Sequence, residues 1–159
     1  MLKKFSSAAT LPVTMECVEE NLGVYKKVTS FVLPIGATVN MDGTCLYQAI
    51  AVVFLAQLHM IDLTLTQQMI IVITATLASI GSAAVPSAGL VMLIIVLEAV
   101  GLNPAWIAII FPVDRILDMF RTIVNVTSDV TVSTIIAKGE GMLNYKPVKD
   151  PFDTFDLDS

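Results

Sequence analysis

From Phe31 onward, long apolar tracts alternate with short clusters of small and polar residues. No Asp, Glu, Lys or Arg occurs between Asp62 and Glu98. That run exceeds the ~20 residues of an ordinary membrane span. "SIGSAAVPSAG" (79–89) interrupts it, and Gly81, Pro86 and Gly89 disfavour a continuous helix there. The two arms, roughly 66–79 and 89–100, are short for full crossings. The pattern predicts a re-entrant helical hairpin with its tip inside the membrane; one kinked span is the alternative. Irregular backbone at that depth survives only where protein covers it or where it lines a wet cavity.

The preceding tract, "FVLPIGATVNMDGTCLYQAIAVVFLAQL" (31–58), has the same signature. Apolar arms flank "GATVNMDGT", where Gly36, Asn40, Asp42 and Gly43 would break or strain a lipid-exposed helix. This predicts an unwound spanning helix whose freed carbonyls need partners, and bound cations are one solution. Asp42 sits beside Asn40 and Thr44, an oxygen-rich set that suits a hard cation. N-capping by Asp42 is the other reading. Residues 10–24 form a shorter amphipathic arm, "GLNP" (101–104) is a turn, and a last helix is expected from about 105 to 138. The segments are thus 1–28 (second arm of a first hairpin, and linker), 29–62 (unwound helix), 63–102 (hairpin), 103–140 (last helix) and 141–159 (polar tail).

Composition sharpens this to a membrane protein. Hydrophobic residues make up 55% of the 159, mean hydropathy is +0.80, and only 14% are charged, against roughly 25% in a soluble domain. So little charge could not cover a water-exposed surface, which argues against a soluble enzyme. The net charge of −5 is dominated by Asp150, Asp153, Asp156 and Asp158 in the tail, and no basic nucleic-acid footprint exists. The N-terminus lacks the apolar core of a signal peptide. Cys17 and Cys45 read as small hydrophobes. Lys26 and Lys27 precede the unwound helix, Lys138, Lys146 and Lys149 follow the last one, and the turns between lack Lys and Arg. The positive-inside rule then makes both lysine groups and the C-terminus cytoplasmic.

"DRILDMFRTIVNVTSD" (114–129) carries charge into this apolar setting. At 100° per residue, Asp114, Arg115, Asp118, Arg121, Thr122, Asn125 and Asp129 share one face of about 120°. Ile116, Phe120, Ile123 and Thr127 occupy the back. A charge at the bilayer centre costs ~2.5–3.5 kcal/mol on the mildest scale. The stripe must therefore face protein, ions or a ligand cavity. Pairing of Asp118 with Arg121 at i, i+3 would neutralise two of these charges and leave Asn125 and Asp129 over.

Four motifs in order resemble those of the dicarboxylate/amino acid:cation symporter family: "SSAATLP" (6–12), "GATVNMDGT" (36–44), "ASIGSAAVPSAG" (78–89) and "DMFRTIVNVTSD" (118–129). The last helix has the look of a prokaryotic member. The resemblance implies an all-α membrane protein, specifically the C-terminal half of an elevator-type transport domain. It further implies a sodium- or proton-coupled glutamate/aspartate symporter in the cell (inner) membrane, homotrimeric when full length and without a cofactor. By motif, Asp118 would hold the substrate's amino group and Arg121 its side-chain carboxylate, with Thr122, Asn125 and Thr44 adding polar contacts. Ser7, Val85 and Gly89 would enclose the amino acid. One sodium site would use Asp129 with carbonyls of Gly36, Asn40 and Asn125; a second would use carbonyls of Thr38, Ser79, Ile80 and Ser82; Asp42 would belong to a third.

The scaffold helices that come first in the family have no counterpart here, and "MLKKF" reads as an arbitrary start. The chain is thus expected to be a fragment. As such it is either the C-terminal part of a working symporter or a membrane segment that does not transport alone. A relative carrying C4-dicarboxylates or neutral amino acids is the remaining alternative.

Overall fold

The computed structural model describes residues 7–80 and 88–144, and in them the chain is helical. α1 is Ser7–Asn21, α2 Lys26–Val39, α3 Asp42–Leu58, α4 Leu65–Ile80 and α5 Ala88–Ala99. A 3₁₀ turn (Pro104–Trp106) leads into the short α6, Ile107–Ile110, and α7 is Asp114–Gly139. Local chemistry sets several of these limits. Thr64 Oγ1 accepts from the Gln67 N–H at 3.3 Å while Gln67 Oε1 accepts from the Thr64 N–H at 3.0 Å, a reciprocal cap that starts α4. Asn103 Oδ1 accepts from the Ala105 N–H, with Pro104 pre-set at the first helical position.

The expected break in the 31–58 tract is present but narrow. α2 runs through Val39 and α3 begins at Asp42, leaving Asn40 and Met41 between them. The last helix does not run from 105. Phe111, Pro112 and Val113 separate α6 from α7, because Pro112 has no N–H to give to the Ala108 carbonyl. The arms of the predicted hairpin are α4 and α5, which pack against each other. Its tip, with Gly81, Ser82, Val85 and Pro86, lies outside the described residues, as do "MLKKF" and the tail from Tyr145.

Two apolar cores hold the helices. Leu55, Val52, Ile71, Leu93, Val96 and Leu97 join α3, α4 and α5, with Ile110 closing one end. Val18, Val28, Leu33 and Ala137 join α1, α2 and the far end of α7. Tyr25 N–H donates to the Met142 carbonyl at 3.1 Å and Asn144 N–H to that of Gly23 at 2.8 Å. These bonds tie the α1–α2 linker to the end of α7, so Lys26, Lys27 and Lys138 lie at one end of the molecule. Lys26–Leu58, a run of 33 residues spanning α2, its break and α3, is long and apolar enough to cross a membrane, and Leu65–Ile80 and Gly89–Ala99 are shorter apolar helices.

Candidate functional site

The polarity of α7 is inverted relative to a soluble helix. Ile116 (59%), Phe120 (64%) and Ile123 point outward, while Asp118 (5%), Arg121 (6%), Asp114, Asn125 and Asp129 are buried. Arg115, at the edge of the predicted stripe, is exposed instead, since its position on the helix turns it away from the neighbouring helices. The buried stripe runs along α2 and α3, with three polar groups on successive turns.

The first group surrounds Arg121. Its Nη2 lies 2.7 Å from Asp118 Oδ1 and 3.4 Å from Asp114 Oδ1. Its Cζ sits 4.4 Å from the centroid of the Tyr47 ring, a cation–π contact. Tyr47 in turn donates its hydroxyl to Asp114 Oδ1 at 3.2 Å. The i, i+3 pair allowed by the sequence therefore forms, and Asp114 and Tyr47 extend it. Gly89, the second residue of α5, lies against the same guanidinium, and a Cβ there would coincide with Arg121 Nη1. Two carboxylates against one guanidinium leave this cluster one charge negative, a setting that favours an added cation. Nearby, Gln48 on α3 is fully buried, and neither of its amide atoms has a hydrogen-bond partner among the described residues.

The second group is Asn125. Its Oδ1 accepts from the Gly43 N–H at 2.8 Å, and its Nδ2 lies 3.5 Å from Thr44 Oγ1. Asn125 thus satisfies an N–H of the first turn of α3 from across the break. Its backbone carbonyl lies inside α7. Thr122 Oγ1 donates to the Asp118 carbonyl of its own helix at 2.9 Å.

The third group is Asp129. Asn40 Nδ2 donates to Asp129 Oδ1 at 2.9 Å and to Ser128 Oγ at 3.0 Å, and Ser128 Oγ donates to Asp42 Oδ2 at 2.5 Å. The Asp129 carboxylate presses on Gly36, where a Cβ would overlap it. Asp42 does not cap α3; Met41 holds the N-cap position, and its own side chain makes no capping hydrogen bond. Asn40 N–H donates to the Gly36 carbonyl at 2.8 Å, whereas no backbone N–H among the described residues reaches those of Thr38 or Asn40. No Lys or Arg among the described residues pairs with Asp129. A buried carboxylate with only neutral partners is costly unless a cation or a proton neutralises it.

Ser79, buried, and Ile80 close α4, whose last carbonyls have no partner within the helix. α2 and α4 touch, which brings the helix of Thr38 beside that of Ser79. Ser82 and Val85 lie outside the described residues, and so does the Ser7 side chain. Tyr47, Gln48 and Ser128 were not singled out from the sequence. Tyr47 and Gln48 belong to an apolar helix with no charge to mark them, and Ser128 reads as a helix-surface hydroxyl. A cavity of ≈ 510 Å³ lies on the Tyr47 side of Arg121, between α3 and α7, with Leu46, Phe54, Leu117 and Phe120 in its walls. Walls of that kind do not suit a zwitterion.

The model of the "Sodium:dicarboxylate symporter family" matches residues 4–139. Among curated relatives, human "Excitatory amino acid transporter 3" is 57% identical over 133 residues, covering 84% of this chain and 25% of that protein. The "Excitatory amino acid transporter" of Caenorhabditis elegans is 53% identical over 131 residues, 82% and 26% of the two chains. Human "Excitatory amino acid transporter 2" is 50% identical over 151 residues, 95% and 25%. All three are animal proteins, and the expectation of a prokaryotic source draws no support from them. The chain spans about a quarter of the length of these relatives.

Proposed function

The chain belongs to the sodium:dicarboxylate symporter family, and on that premise we propose that it is the substrate- and ion-binding part of a sodium-coupled glutamate/aspartate symporter in the cell membrane. The observation that carries this reading is the buried pair of Asp118 and Arg121, 2.7 Å apart on an otherwise apolar-faced helix. An amino acid with a second carboxylate fits it: the ammonium takes Asp118 and the carboxylate takes Arg121, so the two side chains part and each keeps an opposite charge. Arginine suits the role because its planar fork binds carboxylates bidentately and stays charged when desolvated. A dicarboxylate without an amine would take Arg121 and leave both Asp114 and Asp118 without a cation.

Asp129, with Asn40 and the carbonyls at the α2–α3 break, is assigned to sodium, whose hard character matches oxygen ligands. Asp42 and Ser128 lie next to it and belong to a further ion position. Carbonyls of Thr38, Ser79 and Ile80 form the second site, with Ser82 of the tip. The α4–α5 hairpin closes over the substrate from one side, with Val85 and Gly89 lining it, and Ser7 faces it from the other. The lysine-bearing end is cytoplasmic. The rest of the transporter supplies the scaffold of a homotrimer.

The test is a chimaera in which residues 4–139 replace the matching quarter of human excitatory amino acid transporter 3. We expect sodium-driven uptake of labelled aspartate, and loss of acidic-substrate binding in Arg121→Cys. A charged hydrogen bond is worth ~1.5–3 kcal/mol, or roughly ten- to hundredfold in affinity. If Arg121→Cys binds aspartate as tightly as the parent, Arg121 is only the structural partner of Asp118 and the substrate assignment fails.

A further inference from the structure

Away from the charged stripe, a groove of ≈ 440 Å³ opens between α3 and α4. Its floor is apolar, with Ala49 and Val53 on α3 and Ile71 on α4. Its polar residues, Gln57, Asp62 and Gln68, gather at the end where the 59–64 turn joins the two helices. By helical rise, Val53 and Ala49 lie about 6 and 12 Å below Gln57 along α3. The groove is thus polar at the end of the spanning run and apolar along its length, the gradient of a lipid molecule standing in one leaflet. Gln68 Nε2 donates to the Leu63 carbonyl at 3.1 Å. The Gln57 amide and the Asp62 carboxylate have no side-chain hydrogen bond or ion pair with any described residue. Asp62 is the groove's one charge, and the sequence offers no Lys or Arg from there to Glu98. Asp62 is exposed, so a cation that meets it comes from outside the segment.

We propose that this groove binds one membrane lipid with an ammonium headgroup that can donate hydrogen bonds, of the phosphatidylethanolamine class. Its ammonium meets Asp62, its phosphate accepts from the Gln57 amide, and one acyl chain lies along Ala49, Val53 and Ile71. A choline headgroup carries the same charge but has no N–H to donate, so it is the discriminating control. An anionic glycerol headgroup places its charge against Asp62 and is disfavoured. The proposal rests on the membrane placement argued above and is independent of the substrate assignment.

Native mass spectrometry of the purified chain, released from mixed micelles holding equal phosphatidylethanolamine, phosphatidylcholine and phosphatidylglycerol with identical acyl chains, tests it. One retained ethanolamine lipid is expected, favoured over choline by roughly three- to fivefold, the scale of a partly exposed ion pair. Asp62→Asn, at an exposed position, should bring that ratio to one while circular dichroism shows unchanged helix content. Ala49→Phe should fill the floor and remove retention of all three lipids. Equal retention in the parent chain overturns the proposal, and so does an ethanolamine preference that survives Asp62→Asn. If Ala49→Phe keeps the full adduct, the lipid sits elsewhere and the groove assignment is wrong. Failure of the chain to enter membranes at all would instead sink the membrane placement, and membrane fractionation reads that separately.

Discussion

Gly89 has no side chain, and the Arg121 guanidinium occupies the room that one would take. The first turn of α5 therefore touches the charge proposed to hold the substrate's carboxylate. Gly89→Ala puts a methyl group on Arg121 Nη1, so the guanidinium must shift from its present position beside Asp118. In the chimaera, aspartate affinity should fall by about tenfold or more, a loss of ~1.4 kcal/mol. Competition with unlabelled aspartate measures it, and an unchanged affinity would mean that Arg121 does not set the acidic preference. Asp129 supports a second expectation, since it is buried beside Asn40 with no cationic partner among the described residues. Asp129→Asn should raise the sodium concentration for half-maximal uptake at least tenfold, roughly 1.4 kcal/mol, with little change in the ranking of aspartate over serine. Uptake by the parent chimaera that is equal with and without sodium at fixed pH would assign the carboxylate to a proton instead. These residues were legible in the sequence because a charge in an apolar helix has few explanations and the 3.6-residue period gathers them on one face. Tyr47 was not legible, because it meets Asp114 across 67 residues of chain and nothing on its own helix marks that contact.

The α2–α3 break shows what element-level reading resolves and what it misses. Gly36, Asn40, Asp42 and Gly43 predicted an unwound spanning helix, and only Asn40 and Met41 lie between the two helices. Gly36 serves close approach of Asp129 rather than unwinding. α3 starts as early as Asp42 because Asn125 reaches over from α7 to accept from the Gly43 N–H at 2.8 Å, a cap that no local sequence pattern can announce. Asn125→Ala would leave that buried N–H without its acceptor, at ~1–3 kcal/mol. Thermal unfolding of the chain in detergent should shift down accordingly, and Asn125→Asp, which keeps the oxygen, should recover part of the loss. Equal midpoints for the parent and Asn125→Ala would show that the cap adds nothing. The start of the last helix was misplaced for a simpler reason. Pro112 sits in an apolar run whose periodicity continues through it, so hydrophobic spacing hid a break that the missing N–H imposes.

Among the described residues, the helices expose apolar side chains along most of their length while Asp114, Asp118, Arg121 and Asp129 are buried, which suits a bilayer and leaves much apolar surface for lipid or for protein beyond this chain. Phe31, Ile35 and Val39 on α2 and Leu46, Ile50 and Phe54 on α3 are exposed along one long run, with no Lys or Arg between Lys27 and Arg115. On the proposed function this body would move against a fixed scaffold, and about three quarters of the length of its relatives lies outside the matched region. Binding and transport should therefore separate. The 159-residue chain, reconstituted in liposomes with an inward sodium gradient and labelled aspartate, is expected to show no concentrative uptake above empty vesicles. The chimaera, with the same binding residues on a complete scaffold, is expected to concentrate aspartate in the same assay. Uptake by the isolated chain would overturn the division of labour proposed here, because the buried stripe of α7 would then suffice to move its ligand as well as to hold it.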